Sequence, residues 1–351
     1  MTRSVPKGVL FLAPLASSAA LFSGCAALLS GCAALGPKDD PAPIVRGPIR
    51  SRTQAPIKLT FLAFRPRSTE TQAPDTLSLA FDSAYTRLFQ NGHLPGADVV
   101  FDGELWRNSC ALRWGLGERT DLEFEIGVLY AANGFLDRIV QNYHQFFGFP
   151  NGGQEERPLF AYEMDVHKNG QEIYHLDAYE PGLTDLPIVL TQRIVDETAG
   201  TPAIALRAGI ELPTGSSSRG FGNGGIDWGA GVLLEKSLGR WTFTGAVDGV
   251  RTASPPSFAG SGVHAHDDLD LQLSSEFRWS DSVSLVGGIV LTSPVTRDIA
   301  MREIDREILS ADAGIVWDVG PNTRFYAAFE DDVIAASGPD FSLLFGMTFG
   351  L

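Results

Sequence analysis

Between Ala203 and Val250 apolar and polar residues alternate with a period of two through three successive runs. Ile204, Leu206, Ala208, Ile210 and Leu212 interleave with Ala205, Arg207, Gly209 and Glu211. After Pro213-Thr214-Gly215 and a Ser/Gly loop, Ile226, Trp228, Ala230, Val232 and Leu234 alternate with Asp227, Gly229, Gly231, Leu233 and Glu235. The turn Lys236-Ser237-Leu238-Gly239 leads into Trp241, Phe243, Gly245 and Val247 against Thr242, Thr244, Ala246 and Asp248. Such a repeat is a β-strand with one apolar and one polar face, so these strands form a sheet wetted on one side. Two architectures satisfy it: a soluble sandwich whose apolar faces meet, and a membrane barrel whose apolar face meets lipid.

The polar face decides between them. It carries glycine and small residues outside the turns, and Glu, Asp and Arg from many strands, as the wall of a water-filled lumen does. A chain of 351 residues holding 38 glycines and 22 phenylalanines suits a single large barrel, in which glycine bends strands and aromatics belt the interfaces. The net charge of −15 argues against nucleic acid and against a polybasic membrane-surface patch.

Arg3 and Lys7 precede an uncharged stretch from Gly8 to Leu35. Residues 1–32 therefore read as an export signal, too diluted by Pro14, serines and Ser-Gly-Cys steps for a spanning helix. Leu29-Ser30-Gly31-Cys32 resembles a lipoprotein lipobox, making Cys32, or Cys25 in the poorer copy Phe22-Ser23-Gly24-Cys25, the expected lipidation site. One acyl chain adds only marginal membrane hold. Cys110, left alone in the mature chain, reads as an apolar filler. Gly36 to Pro56 has linker composition and Ile57–Phe64 a short alternation that reads as a periplasmic strand or plug, so residues 33–75 are expected to be a periplasmic linker or plug segment.

Residues 76–351 are expected to form an antiparallel up-and-down barrel of about 12 strands. The first runs from Thr76 to Leu88, followed by a loop at Gly92 and Pro95-Gly96. In the second, Val99 to Leu116, the apolar phase shifts, which predicts a bulge near Gly103 to Trp106. Residues 132–182 form a long insert with a hairpin at Leu159–Val166 and Glu172–Leu176, expected to act as a lid or lumen plug. Strands resume at Leu183–Val195 and continue to an aromatic run ending at Phe349. Short turns near 117, 197, 237, 280 and 321 alternate with longer loops near 92, 157, 218, 258, 300 and 338, as they do when one rim faces the periplasm. Both termini then lie on the short-turn side.

Gly47-Pro48-Ile49-Arg50-Ser51-Arg52-Thr53-Gln54-Ala55-Pro56, Phe101 to Glu104, Arg113 to Arg119, Gly134 to Asp137, the run His144 to Gly153 and Leu212-Pro213-Thr214-Gly215 resemble the DUF3187 family of proteobacterial proteins. The resemblance covers about Pro48 to the C-terminus. It implies an outer-membrane barrel of a Gram-negative bacterium and brings no catalytic residues with it. The usual Arg-Asn-Gln step of the family is Arg52-Thr53-Gln54 here.

Binding is expected at the lumen charges Glu123, Glu125, Arg207, Glu211, Asp248, Glu276 and Arg278, as a solvated wall or a pairing network, and at Phe146, Phe147 and Asn151 of the insert. His264 and His266 have metal-ligand spacing on a strand but lack a third fixed ligand, so a polar loop is the reading preferred. His144 is a candidate base for a lipid hydrolase. Gly222-Asn223-Gly224-Gly225 has no basic residue behind it and is no phosphate cradle, so no cofactor is expected. The expected partners are outer-membrane lipid, a small hydrophobic ligand and, during biogenesis, the barrel-assembly machinery. The function these features suggest is binding or passing a small hydrophobic or amphipathic molecule. The alternatives are a lipid hydrolase using His144 and a structural outer-membrane lipoprotein.

Overall fold

The computed structural model describes residues 45–147, 157–333 and 338–351, apart from the side chains of Tyr143, His144 and Phe147. In chain order the strands are β1 (Leu77–Leu94), β2 (Ala97–Gly117), β3 (Thr120–Ala132), β4 (Glu163–Lys168), β5 (Gln171–His175), β6 (Gly182–Leu183), β7 (Leu186–Val195), β8 (Ala203–Leu212), β9 (Asp227–Leu238), β10 (Trp241–Arg251), β11 (Asp268–Arg278), β12 (Val283–Thr292), β13 (Ile308–Gly320), β14 (Thr323–Asp332) and β15 (Phe341–Gly350). Helix α1 (Asp137–Phe147) follows β3. Strand β3 pairs with β7, β7 to β15 pair in sequence, and β15 returns to β1. Twelve antiparallel strands thus close a barrel, while β4, β5 and β6 lie outside the ring.

The two faces separate as alternation requires. Leu206, Trp228, Val232, Phe243, Leu273, Ile289 and Ile315 are exposed on the outer wall, while Arg207, Asp248, Gln272 and Glu276 are buried inside. A two-sheet sandwich would have buried the first set. At the short-turn rim the outer wall carries Trp241 stacked on Phe243 and Trp317 on Phe325, an interfacial aromatic girdle.

Two expectations about β1 and β2 are corrected. Strand β1 does not end at Leu88; it runs to Leu94, and the loop foreseen from Gly92 is only the tight turn Pro95-Gly96. The β1–β2 register is unbroken from Leu77↔Trp114 to Leu94↔Ala97, so no bulge lies near Gly103 to Trp106. The apolar phase changes for another reason. Below Gly103 even-numbered residues such as Trp106 and Trp114 face outward and are exposed, whereas above it Val99 and Phe101 face inward into an apolar core. The strand keeps its pleat while its surroundings are exchanged.

That core closes the long-loop end of the barrel. Strand β4 takes over from β3 as the neighbour of β2, at Ala97–Asp102, and pairs with β5 through the turn Asn169-Gly170, both residues at positive φ. Val99, Phe101, Met164, Val166, Ile173 and Tyr174 of this extended sheet meet Phe221, Phe258, Val295 and Met301 from the other loops. Ile57, Leu59 and Phe61 complete it from below. The insert therefore contributes to a lid, shared with three further loops.

Candidate functional site

The lumen is filled by the chain's own residues 45–75, which rise from the short-turn rim to the dome and descend again. Only Lys58–Thr60 at the apex is helical, a single 3-10 turn. Pro48, Pro56, Pro66 and Pro74 keep the rest out of regular structure. The alternation at Ile57–Phe64 is thus no strand. Its apolar residues pack into the dome and, as Leu62 and Phe64, against Val250 inside the barrel.

Ion pairs hold this segment along both arms. On the way up, Arg46 Nε lies 2.8 Å from Asp318 Oδ2, and the Arg46 backbone N–H donates to Glu276. Arg50 bridges Asp82 at 3.1 Å and Glu123 at 3.0 Å, and Ser51 Oγ donates to Asp312. At the apex Lys58 pairs with Asp268, and the Leu62 N–H donates to Asp227 at 3.0 Å. On the way down, Arg65 reaches Glu125 at 2.8 Å and Arg67 reaches Asp121 at 3.0 Å. Thr69 closes the series on Glu235. Arg52 is spent inside the segment, donating to the carbonyls of Lys58 and Phe61 and folding the two arms together. Buried charges require such pairing, since desolvation would otherwise cost several kcal/mol each.

The charged residues anticipated in the sequence take definite places in this arrangement. Glu123 and Glu125 face arginines of the segment, and Glu125 also accepts from Arg107 at 2.5 Å. Glu276 binds the backbone of Arg46 and Gly47. Arg207 pairs with Asp248 within the wall, donates to the Arg65 carbonyl at 2.6 Å and lies over the Phe64 ring at 4.9 Å. Glu211 is buried on the same face of β8, and Arg278 lies half-buried at the short-turn end of β11. Sequence reading overlooked the arginines of residues 45–75; their alternation with proline in Arg65-Pro66-Arg67 was the available signal.

Of the places foreseen for the insert, lid or lumen plug, its helix takes neither and its hairpin the first. Glu104 and Arg87 sit on outward-facing positions above the apolar band, yet both are buried. Glu104 accepts the N–H of Phe135 at 2.7 Å and that of Leu136, while Arg87 pairs with Asp102 and with Asp137 of α1. Gly134 has φ +64, and a methyl group there would overlap the Glu104 carboxylate. Helix α1 is therefore anchored on the outside of the barrel. Phe146, exposed on α1, does not line the lumen as expected. His144 lies on the same helix, but its side chain falls outside the described residues, as do the Phe147 side chain, Asn151, Cys25 and Cys32.

His264 and His266 converge on Asp298, at 3.1 and 3.6 Å, in the loops above β11 and β12. Burial acts to raise the Asp298 carboxyl, but hydrogen bonds from His264 hold it below the usual range. Among the described residues metal-ligand spacing falls elsewhere, at Asp165, Glu172 and His175. Both His175 ring nitrogens already face carboxylates, those of Asp165 and Asp177. Desolvation works against the His175 proton, but the hydrogen bond to Asp165 outweighs it and raises the group. Asp185, just before β7, accepts the N–H groups of Gly215 and Asn223, and burial nevertheless pushes it up to about 6.

One cavity adjoins the lumen and another lies among outward-facing residues of the wall. A vestibule of about 330 Å³ opens at the short-turn rim beside Arg46, Arg50, Arg67, Arg113 and Arg324. A depression of about 590 Å³ crosses β9 to β12 where Gly245, Ser275 and Gly287 leave space between Phe243, Leu273 and Ile289.

A model of the family described as "Protein of unknown function (DUF3187)" matches residues 32–351. The chain belongs to DUF3187. The fold of this DUF3187 protein is similar to that of the COG4313 outer membrane channel from Pseudomonas putida F1, with TM-score 0.54 and 15% identity over 82% of this chain and 100% of that one. The NanC porin is also similar, with TM-score 0.47 and 8% identity over 78% and 100%. No curated protein matches the DUF3187 chain by sequence.

Proposed function

We propose that this protein resides in the outer membrane of a Gram-negative bacterium, its apolar band against lipid, and passes a small amphipathic molecule through a lumen gated by residues 45–75. The observation that carries this reading is the means by which those residues are held. Along the lower lumen they contact the wall through ion pairs and hydrogen bonds, such as Arg50–Asp82 and Arg67–Asp121, which water and a charged solute can replace. Apolar packing is extensive at the apex and is limited elsewhere to Ile49, Leu62 and Phe64 against the wall. Because Ile57, Leu59 and Phe61 form the underside of the dome, withdrawal of this one segment opens both the lumen and the floor of its lid. A charged wall favours an amphipathic solute over a purely apolar one, whose burial there would leave carboxylates without partners.

Planar-bilayer recording tests the reading. The wild-type chain is expected to be nearly silent. The full-length variant Arg50→Gln/Arg65→Gln/Arg67→Gln is expected to open in discrete steps. A variant that still folds as a closed barrel and stays silent sinks the gated-channel reading.

A further inference from the structure

The segment and the wall divide the lumen's charge unequally. Residues 45–75 contain six lysines and arginines against two acidic residues, whereas residues 76–351 contain 18 against 38. Inside the barrel the acidic excess is concentrated at the lumen face, with Asp82, Glu125, Asp227, Asp248, Asp270 and Glu330 all buried there on different strands or levels. The segment occupies three of these, Asp82, Glu125 and Asp227, and also Asp268, with guanidinium, N–H and ammonium donors, while Asp248 is held by the wall's own Arg207. It does not saturate them. Glu211 Oε2, Asp270 Oδ1 and Asp312 Oδ1, on residues at most 8% exposed, accept no hydrogen bond.

On these grounds we infer that the lumen is a cation-selective site, and that the class of molecule it passes carries amine or guanidinium groups. The inference rests on the gated-channel reading for passage, but the binding site exists independently of it. The argument is one of substitution: the wall is already shaped around cationic side chains, so a solute with the same groups can take their partners one by one as the segment withdraws. An anion entering the same space would meet carboxylates with their counter-charges removed. A cleft lined by one sign of charge raises the local concentration of the opposite ion by about tenfold or more. The arginines of the vestibule do not reverse this, because Arg46, Arg50 and Arg67 leave with the segment, while Arg113 and Arg324 stay paired to Asp121 and Asp318.

The test uses the full-length Arg50→Gln/Arg65→Gln/Arg67→Gln variant, checked for faster migration when unboiled, in a bilayer under a potassium chloride gradient. Its openings are expected to favour potassium over chloride by on the order of tenfold. Adding Glu276→Gln and Asp312→Asn should bring that ratio severalfold toward unity. Openings that prefer chloride overturn the inference and leave the channel reading standing. In parallel, spermidine is titrated into this variant and into the wild-type chain by calorimetry, with sulfate as the anionic control. Spermidine is expected to bind the variant more tightly than the wild type, and sulfate neither. Spermidine binding without any openings keeps the cation site and removes the channel, whereas no binding to either chain overturns the inference whether or not the variant conducts.

Discussion

Glu125 shows how much of the lumen's order can depend on one side chain. Its carboxylate receives Arg65 from the segment and Arg107 from the wall, with Arg50 3.7 Å away, and all of these are largely shielded from water. Replacing it with glutamine leaves the geometry in place and removes the charge that compensates two buried guanidiniums. Breaking a buried pair from one side costs about 3–5 kcal/mol. Glu125→Gln is therefore expected to lower the urea midpoint of the lipid-reconstituted barrel and to expose residues 45–75 to protease. Asp185 is a second residue with a readable consequence. As its carboxyl is raised in the folded state from an ordinary 3.8 to about 6, the unfolded chain loses the proton first. Its contribution is thus most favourable below pH 4 and declines as pH rises through 6. Protection of the 213–226 loop against hydrogen exchange, corrected for intrinsic rate, should fall across that interval, and Asp185→Asn should flatten the dependence.

Among the elements, legibility in the sequence followed the surroundings of each strand. Strands β8 to β10 were readable because lipid-facing and lumen-facing positions alternate along their whole length. Strand β2 misled, since a bulge and a change of environment give the same pattern, and only the partner register separates them. The N-terminal segment was legible as a linker or plug, but which of the two was not, because pairing partners more than 200 residues away, such as Arg46 and Glu276, leave no local periodicity. How the insert is docked was not legible for a similar reason. Its anchor, Glu104, is a charge on an outward position, readable in the sequence as an ordinary solvent contact. Gly134→Val is expected to undock α1, because the side chain must enter both a positive-φ position and the space of that carboxylate. The check is faster proteolysis within residues 133–160 with an unchanged barrel, seen as retained heat-modifiable migration.

At the scale of the whole molecule, closure is the property that alternation alone could not supply. The pairing of β15 with β1, from Ser78↔Gly350 to Arg87↔Phe341, leaves no free edge in the ring. An unboiled sample should consequently migrate faster than a boiled one. A Gly346→Val change is expected to weaken that behaviour, since the Tyr326 ring lies where a side chain on Gly346 would have to go. The midpoint temperature of the gel shift would measure it.

The two arms of the segment carry a topological consequence. Arg46 enters beside Asp318 at the same rim where Thr76 hands over to β1 beside Gly115, so the path folds back on itself rather than threading the barrel end to end. A strand drawn through a ring must be unthreaded from the far side. A doubled-back loop can be drawn out by traction on its leading end, and thirty-one residues pulled straight reach roughly 100 Å. Opening by this route asks for a tug at the short-turn rim, and reclosure for nothing more than slack.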